Sequence, residues 1–336
     1  MDNLAHALCS VATTAVVAPR SLKKHTKSLV LASMIVANLP DIDFLMNIFG
    51  QETYHFHHRG FTHSFLGLPL MIILGVWIQK FICRKSHVFT TKQSIIWASA
   101  QLLGSHFLLD YLTSYGVMFF YPASFERYAL PLMFIIDPMF WFVGLMGVGL
   151  LMAKQDLPCR KYRFLGMGVI ASMLTWWTIL GVAKIQSHQF TYPSSSEAEV
   201  QSFPGPLAPL LWLVVHSGSE GYDSKIVSYM SDTDAKVIPQ AVPDDFYHDH
   251  LCPKLSANKT AQESYEKYKR WATYVICEDT EEQSCTCHSM RYAFSLENRK
   301  PYFGSALIKN DGNLKFIPPD RNIDQASFMD RFVFFK

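Results

Sequence analysis

Four short stretches of the sequence concentrate the residue types that bind metals and move protons. Asp2 and His6 stand four residues apart, a spacing that puts both side chains on one helix face. Alone, this pair reads first as a helix cap followed by an interfacial histidine. Asn38-Leu39-Pro40-Asp41-Ile42-Asp43 sets two carboxylates beside a proline late in an apolar run. Pro40 interrupts helix geometry, so the carboxylates are expected at a bend. An aspartate in a spanning helix costs roughly 2.5–3.5 kcal/mol, so two together need water, a cation or a partner, unless the helix simply ends at the interface.

His55-Phe56-His57-His58-Arg59-Gly60-Phe61-Thr62-His63-Ser64 holds four histidines in nine residues. Neutral imidazole is the commonest metal ligand, and the planar Arg59 suits phosphate or carboxylate. Gly60 permits a turn, and Thr62 is placed to cap a helix starting near His63. His106 and Asp110 again stand at i,i+4 in an otherwise apolar segment. That spacing serves two ligands of one metal or of adjacent metals, and equally a buried His–Asp pair joining two helices. Asp137-Pro138 is weaker: a lone aspartate at a helix start reads as a cap.

The elements that must position these groups are apolar runs. Ser64–Cys83, Leu132–Ala153 and Phe164–Ala183 have the length of a spanning helix. Ser94–Ser114 is as long but carries His106 and Asp110, Leu29–Phe49 is apolar except for Asn38, Asp41 and Asp43, and Leu4–Ala18 is short for a span. In Leu4–Ala18 the basic cluster follows the apolar run, the reverse of a signal peptide, so the segment is expected to stay on the protein. Basic clusters at Arg20–Lys27, Lys80–Lys92 and Lys154–Arg163 separate the runs. With all three clusters cytoplasmic, the segments alternate without contradiction and every polar stretch named above falls at the outer face.

The 336 residues suffice for about two domains. Residues 1–184 carry 15 basic and 8 acidic side chains, whereas 185–336 carry 15 and 20. The mean hydropathy of +0.10 therefore averages a membrane half and a soluble half. This excludes a disordered chain, a small disulfide scaffold and a simple cytosolic enzyme, and the basic clusters read as topology signals with no nucleic-acid surface evident. The expected fold is mainly α: a polytopic helical membrane bundle over 1–184, then a small β-rich or α+β extracytoplasmic domain over 185–336. In that domain Tyr192–Ser196 and Phe203–Pro209 read as linkers, Leu210–Val215, Lys225–Tyr229 and Thr273–Cys277 as strands, and Asp311–Gly312 as a hairpin turn. Cys252, Cys277, Cys285 and Cys287 are free to pair in an oxidising compartment, with connectivity unreadable. A metal at Cys285-Thr-Cys287-His288 is the weaker reading, because the usual C-x₂₋₄-C spacing is missing.

H-E-x-x-H, G-x-S-x-G and the P-loop are all missing from the sequence, which removes the signatures of zincins, α/β-hydrolases and nucleotide hydrolases. Met1-Asp2…His6, Pro40-Asp41-Ile42-Asp43, His58-Arg59-Gly60-Phe61-Thr62-His63-Ser64 and His106-x-x-x-Asp110 instead resemble the YdjM-type family of predicted membrane-bound metal-dependent hydrolases of the inner membrane. The motifs cover about the first 140 residues, and a weaker likeness continues through Phe203-Pro-Gly-Pro-Leu-Ala-Pro-Leu-Leu-Trp212. That family is distantly similar to zinc-dependent phospholipase C and the P1-type nucleases. The similarity implies His6, one of Asp41 and Asp43, His63, His106 and Asp110 as ligands, with Asp110 able to bridge two ions; His58 competes with His63. Those enzymes carry a further histidine shortly after the His-x-x-x-Asp helix, where this chain reads Tyr111-Leu-Thr-Ser-Tyr-Gly116, so one or two ions are implied.

The expectation is a multi-pass inner-membrane hydrolase in contact with the bilayer, its C-terminal domain outside the cytoplasm, holding one or two divalent ions, zinc first. The metal would activate water against a phosphoester or lipid headgroup. Asp41 or Asp43 would accept the proton, and Arg59 would hold the anionic oxygen. The alternative is a non-hydrolytic metal-ion transporter or membrane assembly factor, which expects its ligands nearer the midplane. A membrane half serving only as an anchor would leave the four polar stretches unexplained. The oligomeric state is not readable.

Overall fold

Asp2 opens the first helix. Its side chain accepts a hydrogen bond from the Ala5 amide and so caps α1 (Asn3–Val17). The computed structural model describes residues 1–84, 88–153, 158–190, 199–218, 221–229, 236–240, 247–280, 283–292 and 304–317; Lys85, Lys154 and the linker expected at Tyr192–Ser196 lie outside them. The described chain divides into two compact units, one of Met1–Met46 with His57–Leu180, the other of Asn47–Phe56 with Gly181–Lys336.

In the first unit α2 (Pro19–Lys24) and α3 (Thr26–Ala37) follow α1. Pro40 lacks an amide hydrogen and disfavours helix at the residue before it. α3 accordingly ends at Asn38, whose side-chain amide donates to the Met34 carbonyl at 2.8 Å. The chain continues as a 3₁₀ helix over Leu39–Phe49, bent 48° from α3. α4 (Gln51–His57) and a 3₁₀ turn at Phe61–His63 lead into α5 (Leu68–Ile82), with a bend of 77° before α5. α6 (Thr91–Leu102), capped by Thr90 and Gln93, runs through a π turn at Leu103–Phe107 into α7 (Leu108–Tyr111). α8 (Pro138–Ala153) and α9 (Cys159–Phe190) complete the helices of this half.

The core of this unit is apolar side chains from several helices: Val11 and Ala15 of α1, Leu29, Ala32 and Val36 of α3, Met71 of α5, Trp97 and Ala98 of α6, and Leu151 of α8. Small residues let these helices approach closely. A methyl group at Gly166 of α9 would sit 2.8 Å from the Ala15 Cβ, and one at Gly144 of α8 would meet Leu8 at the same distance. Buried polar contacts bind the same helices. Trp97 Nε1 and Gln101 Nε2 each donate to Thr14 Oγ1 at 3.1 Å, and Ser94 donates to Gln79 Oε1 at 2.8 Å. Such bonds between helices contribute about 0.6–2 kcal/mol each.

Among the described residues, one helix is by length and composition long and apolar enough to cross a membrane, Cys159–Gln189 of α9. Each of two bent pairs, Thr26–Ala37 with Leu39–Phe49 and Gln51–His63 with Leu68–Ile82, also passes if counted as a single span. The run expected at Leu132–Ala153 becomes helical only from Pro138.

The second unit carries the β structure. Strands β1 (Glu199–Gly205), β2 (Ala208–Gly218), β3 (Gly221–Ser228) and β4 (Lys236–Gln240) form an antiparallel sheet in chain order. The linker expected at Phe203–Pro209 is thus a hairpin: β1 pairs with β2 from Glu199 opposite Ser217 to Pro204 opposite Trp212. β1 is an edge strand, where a proline costs no ladder bond if its nitrogen faces away from the neighbour. A second antiparallel sheet comprises β5 (Tyr247–His248), β6 (Val275–Thr280), β7 (Ser284–Ser289), β8 (Ser305–Lys309) and β9 (Leu314–Ile317). The turn expected at Asp311–Gly312 joins β8 to β9, with Gly312 at φ +80°.

Between β5 and β6 lie the short α10 (Pro253–Ser256) and α11 (Lys259–Ala272), which buries Ala261, Tyr265, Tyr268, Trp271 and Ala272. The segment 47–56 joins this unit through aromatic contacts. The His55 ring lies 4.3 Å from Phe316 and 5.7 Å from Trp271, and Lys267 Nζ sits 4.4 Å above Phe56. Disulfides join Cys252 to Cys285 and Cys277 to Cys287.

Candidate metal centre

Among the described residues, three groups bring enough ligand atoms together for a metal: Asp41, His63, His106 and Asp110; Asp41, Asp43 and His58; and Cys277, Cys285 and Cys287. The cysteines of the third are committed to the disulfides. The first two adjoin through Asp41 and lie in the helical unit.

Three of the four ligands reach the first group through a local departure from α-helix. Asp41 stands on the 3₁₀ stretch that Pro40 imposes. His63 ends the short 3₁₀ turn after Gly60. His106 sits in the π turn, a one-residue widening that re-aims side chains and leaves carbonyls open to accept from elsewhere. The Ser105 carbonyl in that turn takes a hydrogen bond from His6 Nδ1 at 2.8 Å. Asp110 follows one turn later on α7, and its side chain and those of His63 and His106 are fully buried.

The distances suit a small tetrahedral ion. His63 Nε2 and His106 Nε2 are 2.9 Å apart, and they lie 3.2 and 3.5 Å from Asp110 Oδ2. Both are 3.7 Å from Asp41 Oδ1. A tetrahedral zinc with bonds of about 2.0–2.1 Å spaces its ligands about 3.3 Å apart. His6 lies on the other side of Asp110. Its Nδ1 donates to a carbonyl, so in the neutral ring Nε2 turns a lone pair toward Asp110 Oδ1, 3.3 Å away. That Nε2 is buried without a hydrogen-bond partner among the described residues, as is His106 Nδ1. Lone pair and carboxylate repel unless a proton or cation lies between them.

Asp110 divides the site. Its Oδ2 faces His63 and His106, whereas Oδ1 faces His6, Arg59 Nη2 at 2.8 Å and the Met1 amino group, with which it is ion-paired. The buried Arg59 guanidinium already neutralises the Oδ1 side, so the residues fit one ion on the Oδ2 side best.

Asp43 is placed differently from Asp41. Its Oδ1 meets His58 Nδ1 at 2.7 Å; its Oδ2 accepts from the Arg59 amide at 2.8 Å and from Thr62 Oγ1 at 3.0 Å. Arg59 has φ +61°, in the left-handed region, so Asp43 holds the turn that delivers His63. Thr62 Oγ1 also meets His63 Nδ1 at 2.9 Å, which orients the ring as outer partners of metal-bound histidines do. Arg59 is 3% exposed; besides Asp110 it bonds Thr113 Oγ1 at 3.0 Å and lies over the Tyr115 ring. Its Nε is a buried donor without a partner among the described residues.

The other marked residues fall outside the cluster. His55 packs in the second unit and His57 Nδ1 meets Tyr121 Oη at 3.3 Å. Asp2 caps α1 and accepts from Trp141 Nε1 at 3.0 Å. Asp137 caps α8 through the Phe140 amide and accepts from Trp176 Nε1 at 3.1 Å. Sequence reasoning passed over Ser105, Thr113 and Tyr115. Only Thr113 carried a signal, standing one helical turn beyond Asp110.

The model of the family described as YdjM inner membrane protein matches residues 1–190, more than half of the chain. Comparison with curated proteins and with solved structures finds no match.

Proposed function

The chain belongs to the YdjM inner membrane protein family, and from the convergence of Asp41, His63, His106 and Asp110 we propose that it is a multi-pass, metal-dependent hydrolase of phosphoesters, lipid headgroups included, with one zinc in that cluster. The observation that carries this reading is the set of four ligand atoms, two imidazole nitrogens and two carboxylate oxygens, all within 4.8 Å of one another. Nitrogen with carboxylate oxygen suits zinc. Bound there, the ion would supply a water ionised near neutral pH and a Lewis acid for the ester oxygen.

The chain's own residues complete the chemistry. Asp41 alone of the four has a side chain open to solvent, at 12%, so water and substrate approach past it and its second oxygen accepts the proton of the attacking water. Arg59 anchors Asp110 through Nη2 and offers the unpartnered Nε to an anionic oxygen of the substrate. Asp43 is a positioning residue that fixes the turn from His58 to Thr62.

Multi-pass insertion is supported by apolar side chains exposed on several helices: Leu31 and Ile35 on α3, Ile73 and Trp77 on α5, Phe142 and Leu145 on α8. Exposure on this scale suits lipid better than water. The 3₁₀ stretch that carries Asp41 likewise exposes Ile42, Phe44 and Leu45, which suits a site at the bilayer surface. With the basic clusters cytoplasmic, the cluster and the C-terminal unit face outward, where the two disulfides are at home.

The test is metal content per chain of the detergent-purified protein beside a His106→Ala/Asp110→Ala variant, followed by a screen of phosphodiesters and phospholipids. About one zinc in the wild type, lost in the variant together with hydrolysis, is expected. A folded wild type that takes up no metal after reconstitution overturns the reading. Metal-dependent ion flux in vesicles without hydrolysis would assign the cluster to transport instead.

A further inference from the structure

The helices that carry the cluster have a second site at their other ends. α1 bears His6 near its start and ends at Val17, and the run from α6 begins at Thr91 and reaches His106 in the π turn. At about 1.5 Å per residue these stretches are roughly 16–22 Å long. At the end away from the cluster lies a pocket of about 660 Å³, in the range of small-molecule sites. Arg20, Arg160 and Arg163 line it together with the apolar Phe89, Ile96 and Trp97.

We infer that this pocket binds the phosphate headgroup of an anionic phospholipid, held by Arg20, Arg160 and Arg163. Among the described residues the charge there is uncompensated. Arg160 stands in the first turn of α9, which contains no acidic residue, and Arg163 follows at the start of the second; a cation at the positive end of a helix dipole is disfavoured unless an anion joins it. Among the described residues, no carboxylate forms an ion pair with any of the three arginines, whereas Arg59, Lys225, Lys254 and Lys269 each have one. Guanidinium groups match phosphate oxygens in geometry, and basic pockets between membrane helices recur as headgroup sites on the cytoplasmic side.

The pocket's lip favours a lipid over a free anion. Ile96 lines the pocket and is half exposed, and Phe164 and Met167, one and two turns into α9, are exposed as well. Acyl chains would cover these side chains while the phosphate sits among the arginines. This site shares no residue with the metal cluster, so it stands or falls independently of the hydrolase reading.

The test is native mass spectrometry of the full-length protein in detergent, titrated separately with phosphatidylglycerol, phosphatidylcholine, glycerol 3-phosphate and inorganic phosphate. Wild type is expected to prefer phosphatidylglycerol over phosphatidylcholine by at least about tenfold. The Arg20→Gln/Arg160→Gln/Arg163→Gln variant is expected to lose that preference. Lys161→Gln removes a neighbouring charge outside the pocket lining and is expected to stay within about twofold of wild type. Should the triple variant fail to fold, each single variant is expected to weaken phosphatidylglycerol about fivefold. Equal affinity for the two lipids, or a preference that survives the folded triple variant, overturns the inference. Glycerol 3-phosphate or inorganic phosphate binding as tightly as phosphatidylglycerol overturns the lipid and assigns the pocket to a soluble phosphate.

Discussion

His63 and His106, 43 residues apart in the chain, face each other with their Nε2 atoms 2.9 Å apart. Two neutral imidazoles in that arrangement share at most one hydrogen between them, and each nitrogen also faces Asp110 Oδ2. A divalent cation satisfies all three atoms at once. His63→Ala and His106→Ala are therefore each expected to reduce bound zinc to below about a tenth of an equivalent, measured by elemental analysis after dialysis. Asp110→Asn should do the same and also cost about 3–5 kcal/mol of stability, since it leaves the buried Arg59 without its anion. Full zinc retention by all three variants would show that the ion binds elsewhere.

Asp43 touches no metal-facing nitrogen of His63 or His106; it bonds to His58, the Arg59 amide and Thr62. Replacing an outer partner of this sort costs about 10–100-fold in metal affinity. Asp43→Asn should accordingly still bind zinc at saturation but lose it to a competing chelator at 10–100-fold lower chelator concentration. Wild-type affinity would remove the positioning role, and complete loss at saturation would make Asp43 a ligand.

The π turn gives a sharper test of geometry. A π turn is an α-helix with one residue inserted, and Gly104 within it has open space where a side chain would be. Deleting Gly104 should restore α-helix and rotate every side chain before it by about 100° relative to His106 and Asp110. Helical content by circular dichroism is expected to hold while zinc binding is lost. A deletion variant with normal zinc would show that the π turn is dispensable.

In the second unit, Cys252–Cys285 ties the residue before α10 to β7, and Cys277–Cys287 joins the paired strands β6 and β7. Removing a native disulfide from a small domain costs about 2–5 kcal/mol. Cys252→Ser/Cys285→Ser is expected to lower the midpoint of unfolding, and peptide mapping of unreduced protein should recover both pairs. Free thiols at all four positions in protein from intact cells would place this unit in a reducing compartment, against the proposed outward orientation.

The spacing of His106 and Asp110 and the density of histidines between His55 and His63 made most of the cluster legible before any coordinates. The division of labour between Asp41 and Asp43 was not legible. Two residues along a 3₁₀ helix turn side chains through about 240°, and only the tertiary packing decides which one meets His63 and His106. That Arg59 also pairs with Asp110 was not legible, because the two lie 51 positions apart. In the second unit, prolines at 204, 206 and 209 masked a hairpin as a linker, because composition does not distinguish an edge strand from a loop. The helix over Lys259–Ala272 did carry a signal, an Asn258 cap followed by Ala261, Tyr265, Tyr268 and Trp271 at helical spacing, and it went unread.

Residues 47–56 belong with the C-terminal sheets although they precede them by most of the membrane half. The ribosome therefore releases His55 and Phe56 long before it makes Trp271 and Phe316, the rings they rest against. Vectorial synthesis leaves this piece waiting, and a fragment cut after Ala183 lacks it altogether, with Trp271 and Phe316 bared on one side. The natural unit for expression is the whole chain.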